Sequence, residues 1–294
     1  MVHRQAGRAL RRWRVVAVAA GIALVSVAAV LTAAAKLPTE GDPAQVLFRG
    51  DFETGDFSQW STCQSVVIND FCTDYKNSDQ SLQVQTDVVR QGRYAARFEV
   101  RDGDLSFSAG DRSEVSDELV TGGNEGDDRW YQWSTQFSST FPMNHASQGW
   151  GVVGQWHGES DAGSPPVSMN VDVADGQWGL RINRQAAPGV FMSTPVLWKT
   201  PLAPGTWQDI KMHIKWSAED SVGFVELWHN GVRQTFTGEP CAGTDHCAIR
   251  TLIPGGGGTY FKMGYYRSVN VHGTGVVYGD AFESAMTESA LQKY

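Results

Sequence analysis

Tyr260-Phe261-Lys262-Met263-Gly264-Tyr265-Tyr266-Arg267 is the stretch on which the reading of the fold turns. In a β-strand successive side chains point to opposite faces. Phe261, Met263 and Tyr265 then share one face, which reads as core. Tyr260, Lys262 and Tyr266 share the other, with Gly264 between them. A strand that is apolar on one side and carries phenols and a cation on the other can line a cleft. Read by itself, its pattern is that of an ordinary half-exposed antiparallel strand. Two further stretches divide their faces in the same way. Gln155 and His157 point one way with Trp156 opposed, and Arg112 and Glu114 point one way with Ser113 opposed.

The surrounding pattern is all-β. Alternation predicts strands over residues 95–100, 130–137, 151–157, 167–173, 209–216 and 224–229. In the fourth of these, Ser168, Asn170 and Asp172 face away from Val167, Met169, Val171 and Val173. Asn230-Gly231 closes the last into a hairpin. Residues 283–294 read as a short helix or a frayed end. The expected architecture is an antiparallel β-sandwich.

Arg4, Arg8, Arg11, Arg12 and Arg14 precede an apolar run over residues 15–35 that ends in Ala33-Ala34-Ala35. This reads as an export signal over residues 1–35, and its length also suits an uncleaved anchor. A Pro- and Gly-containing linker over residues 36–46 follows, and then one domain over residues 47–294. We expect a secreted monomer. The formal charge of −8 becomes more negative once the five arginines are set aside. That balance excludes binding of nucleic acid or an anionic membrane through bulk charge. An anionic polymer could bind only where cations are gathered in a cleft.

Cys63, Cys72, Cys241 and Cys247 make an even set in an exported chain, which suggests two disulfides. Three pairings are open. Cys63–Cys72 and Cys241–Cys247 are preferred because each closes a short polar loop. Asp51 and Glu53 open the domain, and Asp280 closes it. If the first and last strands are neighbours, these oxygens could hold a structural Ca²⁺, although acids at turns have the same pattern.

The polar strand faces together suit β-elimination in a uronic-acid polysaccharide. Removing the proton on C5 puts extra negative charge on the adjacent carboxylate, which Arg112 and Gln155 could stabilise. His157 and Tyr266 could serve as base and acid, or Tyr266 as both where the two groups leave from one side. Lys262, Tyr260, Arg267, Glu114 and Asn170 are the expected substrate contacts. No cofactor is needed for this chemistry. Two other readings remain. A glycoside hydrolase would need paired carboxylates, for which Glu114, Asp117 and Glu118 are the candidates. A non-catalytic carbohydrate-binding module would need only the fold and its aromatic residues.

Gly110-Asp111-Arg112-Ser113-Glu114-Val115, Gln155-Trp156-His157-Gly158 and the opening stretch resemble the three signature strands of jelly-roll polysaccharide lyases. The heparin lyase and glucuronan lyase group is the nearer likeness, with alginate lyases more distant. Tyr266-Arg267-Ser268 and the Ser116 after Arg112-Ser113-Glu114-Val115 both depart from the alginate pattern. The resemblance implies a concanavalin-like jelly roll with a concave cleft. It also implies acid–base roles for His157 and Tyr266, carboxylate binding by Arg112 and Gln155, and substrate binding by Lys262. A glucuronan-like polymer is the expected substrate.

Overall fold

The structure is a computed structural model, and it describes residues 46–75, 80–104, 110–143, 149–159, 163–172 and 175–293. The expected export segment, residues 1–35, and residues 36–45 of the expected linker lie outside these. Val46 already belongs to the first strand, Val46–Gly50.

Two antiparallel sheets face each other. The front sheet runs in the order Val196–Pro201, Gln177–Ile182, Val167–Asp172, Gly151–Gly158, Thr259–Arg267, Asp111–Asp117, Thr62–Gln64, Asn69–Phe71. The back sheet runs Val232–Arg233, Phe224–His229, Trp207–Lys215, Asp128–Phe137, Gly275–Ala285, Ala95–Val100, Leu82–Gln85. Val46–Gly50 pairs with Gly275–Ala285, and Cys247–Ala248 pairs with Phe224–His229. This is a jelly-roll sandwich. The predicted strands are present with ends shifted by a residue or two, and Asn230 and Gly231 both take positive φ at their hairpin. The C-terminal stretch differs from expectation. Its strand runs on to Ala285, and only a single 3₁₀ turn, Glu288–Ala290, follows.

The sheets meet through the faces the alternation assigned to the core. Phe261 stacks on Phe282 of the back sheet at 4.3 Å and tilts against Trp156 at 4.8 Å and Trp133 at 5.5 Å. Each such ring contributes roughly 1.5–3 kcal/mol by leaving water. The same inward face carries a surprise at its end. Arg267 is fully buried, 3.1 Å from Asp102 and 3.5 Å from Asp111. It shares the parity of Phe261, Met263 and Tyr265, so the expectation that it contacts substrate is corrected by the pleat itself.

Both disulfides form as preferred, Cys63–Cys72 and Cys241–Cys247. The first and last strands are neighbours, as expected, and the three acids named for calcium all accept hydrogen bonds from the protein. Glu53 accepts the backbone N–H groups of Arg93 and Tyr94. Asp280 accepts those of Arg90, Gln91 and Ala281. Asp51 accepts from Gln59 and the Glu53 backbone. Among the described residues no group of three or more His, Cys, Asp or Glu side chains is arranged to hold a metal ion.

Candidate active site

The front sheet brings the three signature strands side by side, with Thr259–Arg267 in the middle. Its register sets Tyr260 opposite His157, Lys262 opposite Gln155, Gly264 opposite Glu114 and Tyr266 opposite Arg112. Gly264 has φ +148°, and a Cβ there would lie 2.2 Å from the Ser113 carbonyl oxygen. Glycine is what allows the Glu114 strand to close on this one.

Glu114 is the buried hub. Its side chain is 2% exposed and lies 3.2 Å from Arg112 Nε and 3.1 Å from Lys262 Nζ. Gln155 Nε2 donates to its Oε1 at 2.5 Å. Gln64 binds the same two cations from the next strand, accepting from Arg112 at 3.2 Å and from Lys262. Burial opposes the charge on Glu114, but Lys262, Arg112 and Gln155 more than offset it and hold the carboxyl below its ordinary range. Burial pushes the Lys262 ammonium down despite Glu114.

Above this hub lie the groups that face the cleft. The Arg112 guanidinium sits 3.8 Å from the centre of the Tyr266 ring, and Trp150 meets that ring edge-on at 4.6 Å. His157 Nδ1 lies 2.8 Å from the Gly158 carbonyl oxygen. A carbonyl only accepts, so Nδ1 carries the proton and Nε2 the lone pair. Burial, ahead of every other influence, lowers the pKa of this imidazole. The resulting neutral ring can take up a proton.

Arg112, Trp150, Gln155, His157, Asn170 and Tyr266 all line one cleft of about 630 Å³. Four of the expected catalytic residues and one expected substrate contact thus converge. Lys262 and Glu114 do not line it. Both lie beneath its floor, so their expected role as substrate contacts is corrected to one of holding Arg112 and Gln155 in place. Tyr260 packs against the His157 ring at 5.4 Å.

A family model described as polysaccharide lyase matches residues 52–283. The chain belongs to the polysaccharide lyases. No curated relative matches this lyase. Solved structures share its fold. An endo-β-1,4-glucuronan lyase from the fungus Trichoderma reesei superposes with a TM-score of 0.61 at 16% identity, covering 84% of this chain and 98% of that one. The family 7 alginate lyase A1-II′, in complex with product, gives 0.51 at 17% identity over 76% and 95%. An alginate lyase from Pseudomonas aeruginosa gives 0.50 at 16% identity over 76% and 98%.

Sequence reasoning missed several residues in and beneath the lyase cleft. Gln64 lies on a three-residue strand, too short to show alternation. Trp150 precedes its strand and carries no period. Arg181 and Asn183 line the cleft beside Ser168. Their signal was present, because Trp178, Leu180 and Ile182 alternate with Gln177, Gly179 and Arg181.

Proposed function

We propose that this lyase cleaves a uronic-acid polysaccharide, glucuronan-like in structure, by β-elimination outside the cytoplasm. The carrying observation is the convergence of Arg112, Gln155, His157 and Tyr266 on one cleft whose lining, among the described residues, includes no carboxylate. Arg112 and Gln155 bind the uronate carboxylate. As the C5–H bond breaks, its electron pair forms the C4–C5 double bond, and charge moves onto that carboxylate against the two fixed donors. The C4–O4 bond breaks with its pair on oxygen, which takes a proton. In a glucuronate chain both groups leave from one side, and Tyr266 removes the first proton and supplies the second. The Nε2 lone pair of His157 supports a second assignment, with His157 as base and Tyr266 as acid, for a chain whose groups lie on opposite sides.

A retaining or inverting hydrolase needs two carboxylates flanking the bond. Glu114 is buried in its ion pairs, and Asp117 accepts the N–H groups of Leu119 and Val120. Export is supported by the two disulfides, which belong to an oxidising compartment.

The test is absorbance of the unsaturated uronate during incubation with glucuronan, alginate, heparin and hyaluronan. Glucuronan should give the fastest growth. Tyr266→Phe should abolish it on every substrate, and substantial turnover by that variant would sink the assignment. His157→Ala should be severe for opposite-side elimination and milder for same-side elimination.

A further inference from the structure

The cleft continues past the residues assigned to the elimination. Its lining passes from Arg112 and Tyr266 through Gln155 and Asn170 to Arg181 and Asn183, so its long axis crosses the strands. Arg181 is opposite Ser168, and Ser168 is opposite Gln155. Two strand spacings, roughly 10 Å, therefore separate Arg181 from Gln155 along the cleft.

Arg181 differs from the other cations nearby. Arg112 and Lys262 share Glu114, Lys199 stands near Asp172 and Asp175, and Arg184 is paired with Asp220. Among the described residues no carboxylate pairs with Arg181, and its buried Nε has no hydrogen-bond partner. Asn183, two residues on, is 6% exposed. Its amide donates to the Ser164 carbonyl at 3.0 Å, but its buried Oδ1 accepts nothing. Desolvated polar groups without partners cost free energy unless a ligand completes them. Here one cationic fork and one acceptor stand together on the cleft wall.

One pyranose in an extended chain is about as long as one strand spacing. In a chain with 1,4 links between equatorial positions each sugar is turned over relative to the last. Every second carboxylate therefore faces the same side. We propose that Arg181 is the centre of a second uronate subsite, two sugars from the reacting residue, where its guanidinium binds that sugar's carboxylate and Asn183 Oδ1 accepts from a sugar hydroxyl. A planar guanidinium matches a carboxylate through two parallel N–H donors, and the unpartnered Nε is one of them. The inference rests on the uronan reading of the cleft. It adds that the lyase reads charge at two points along the polymer.

Binding is measured with the whole chain carrying Tyr266→Phe, so that no polymer is cleaved. The probes are polyglucuronate, alginate, and polyglucuronate whose carboxyls have been reduced to alcohols. Adding Arg181→Ala should weaken binding of the acidic polymer by roughly ten-fold or more, the range of a hydrogen bond to a charged group. Arg181→Lys should recover part of the loss, and binding of the reduced polymer should not change. In the otherwise native chain, Arg181→Ala should raise KM on the polymer and leave kcat within about two-fold. Unchanged affinity for the acidic polymer, an equal loss with the reduced one, or no binding of either uronan overturns the subsite. Absence of absorbance growth from the native chain would instead defeat the elimination reading, and the binding comparison would still decide the role of Arg181.

Discussion

Glu114 shows how much one buried charge can organise. It lies buried outside the lining of the cleft, yet it fixes a guanidinium, an ammonium and an amide. Glu114→Gln leaves the Lys262 ammonium buried without its counter-charge, a change that costs about 3–5 kcal/mol where one partner of a buried pair is removed. Denaturant titration should show a loss of that order, accompanied by a fall in kcat. The sign of the pH effect follows from the lowered carboxyl pKa. The stabilisation is fully present above the ordinary value of 4.5 and is lost as pH falls through the lower folded value. Acid unfolding should therefore depend less on pH in the variant. For His157 as base, the lowered pKa keeps the ring neutral through neutral pH, so the acid limb of kcat/KM should lie below the ordinary 6.5. A limb centred above that value would exclude His157 from the base role. Arg112, Gln155, His157 and Tyr266 were legible because alternation sets each on the strand face opposite a neighbour read as packing or small, namely Ser113, Trp156 and Tyr265. The burial of Lys262 and Glu114 was not legible, because pairing between neighbouring strands, not local pattern, decides how deep an ion pair sits.

At the scale of the strand, the central element depends on Gly264. Gly264→Ala would drive a Cβ into the Ser113 carbonyl oxygen, and backbone cannot step aside as a flexible side chain can. The cost should be about 3 kcal/mol or more, as overpacking at a fixed contact implies. A thermal melt within a degree of the native chain would contradict this. Alternation located this strand and its Gly151–Gly158 neighbour, while Asp111–Asp117, with Val115 its one apolar residue, showed only the shared face of Arg112 and Glu114. It did not locate the irregularities between them. The Gly151–Gly158 strand changes register with Val167–Asp172 between Val152 and Gly154, and with Thr259–Arg267 between Met263 and Tyr266. Val152 and Gln155 consequently both line the cleft although they are three residues apart. Bulges of this kind bend and twist a sheet, and they arise from three strands fitting together rather than from any one sequence.

Across the whole molecule, the disulfides have unequal consequences. Cys63–Cys72 staples the edge hairpin of the front sheet, and that hairpin carries Gln64 to Arg112 and Lys262. Cys241–Cys247 lies beside the back sheet. Replacing either pair by serines should cost about 2–3 kcal/mol for loops of this length, but only the first should also depress kcat. Equal activity losses at matched stability would refute that separation. The sandwich class was readable from alternation and turn residues throughout the chain. The order of strands within each sheet was not, because sequence-distant pairings such as Val46–Gly50 on Gly275–Ala285 leave no local trace.

The Glu114 hub also bears on how such a lyase can diversify. Positions 112, 114, 155 and 262 are tied to one carboxylate, so a change at any one alters what the other three experience. Substitution there is strongly epistatic. Arg181 and Asn183 make no contact with that carboxylate and can be exchanged singly. New polymer preferences should therefore arise first at the far end of the cleft, while the centre is inherited as a block.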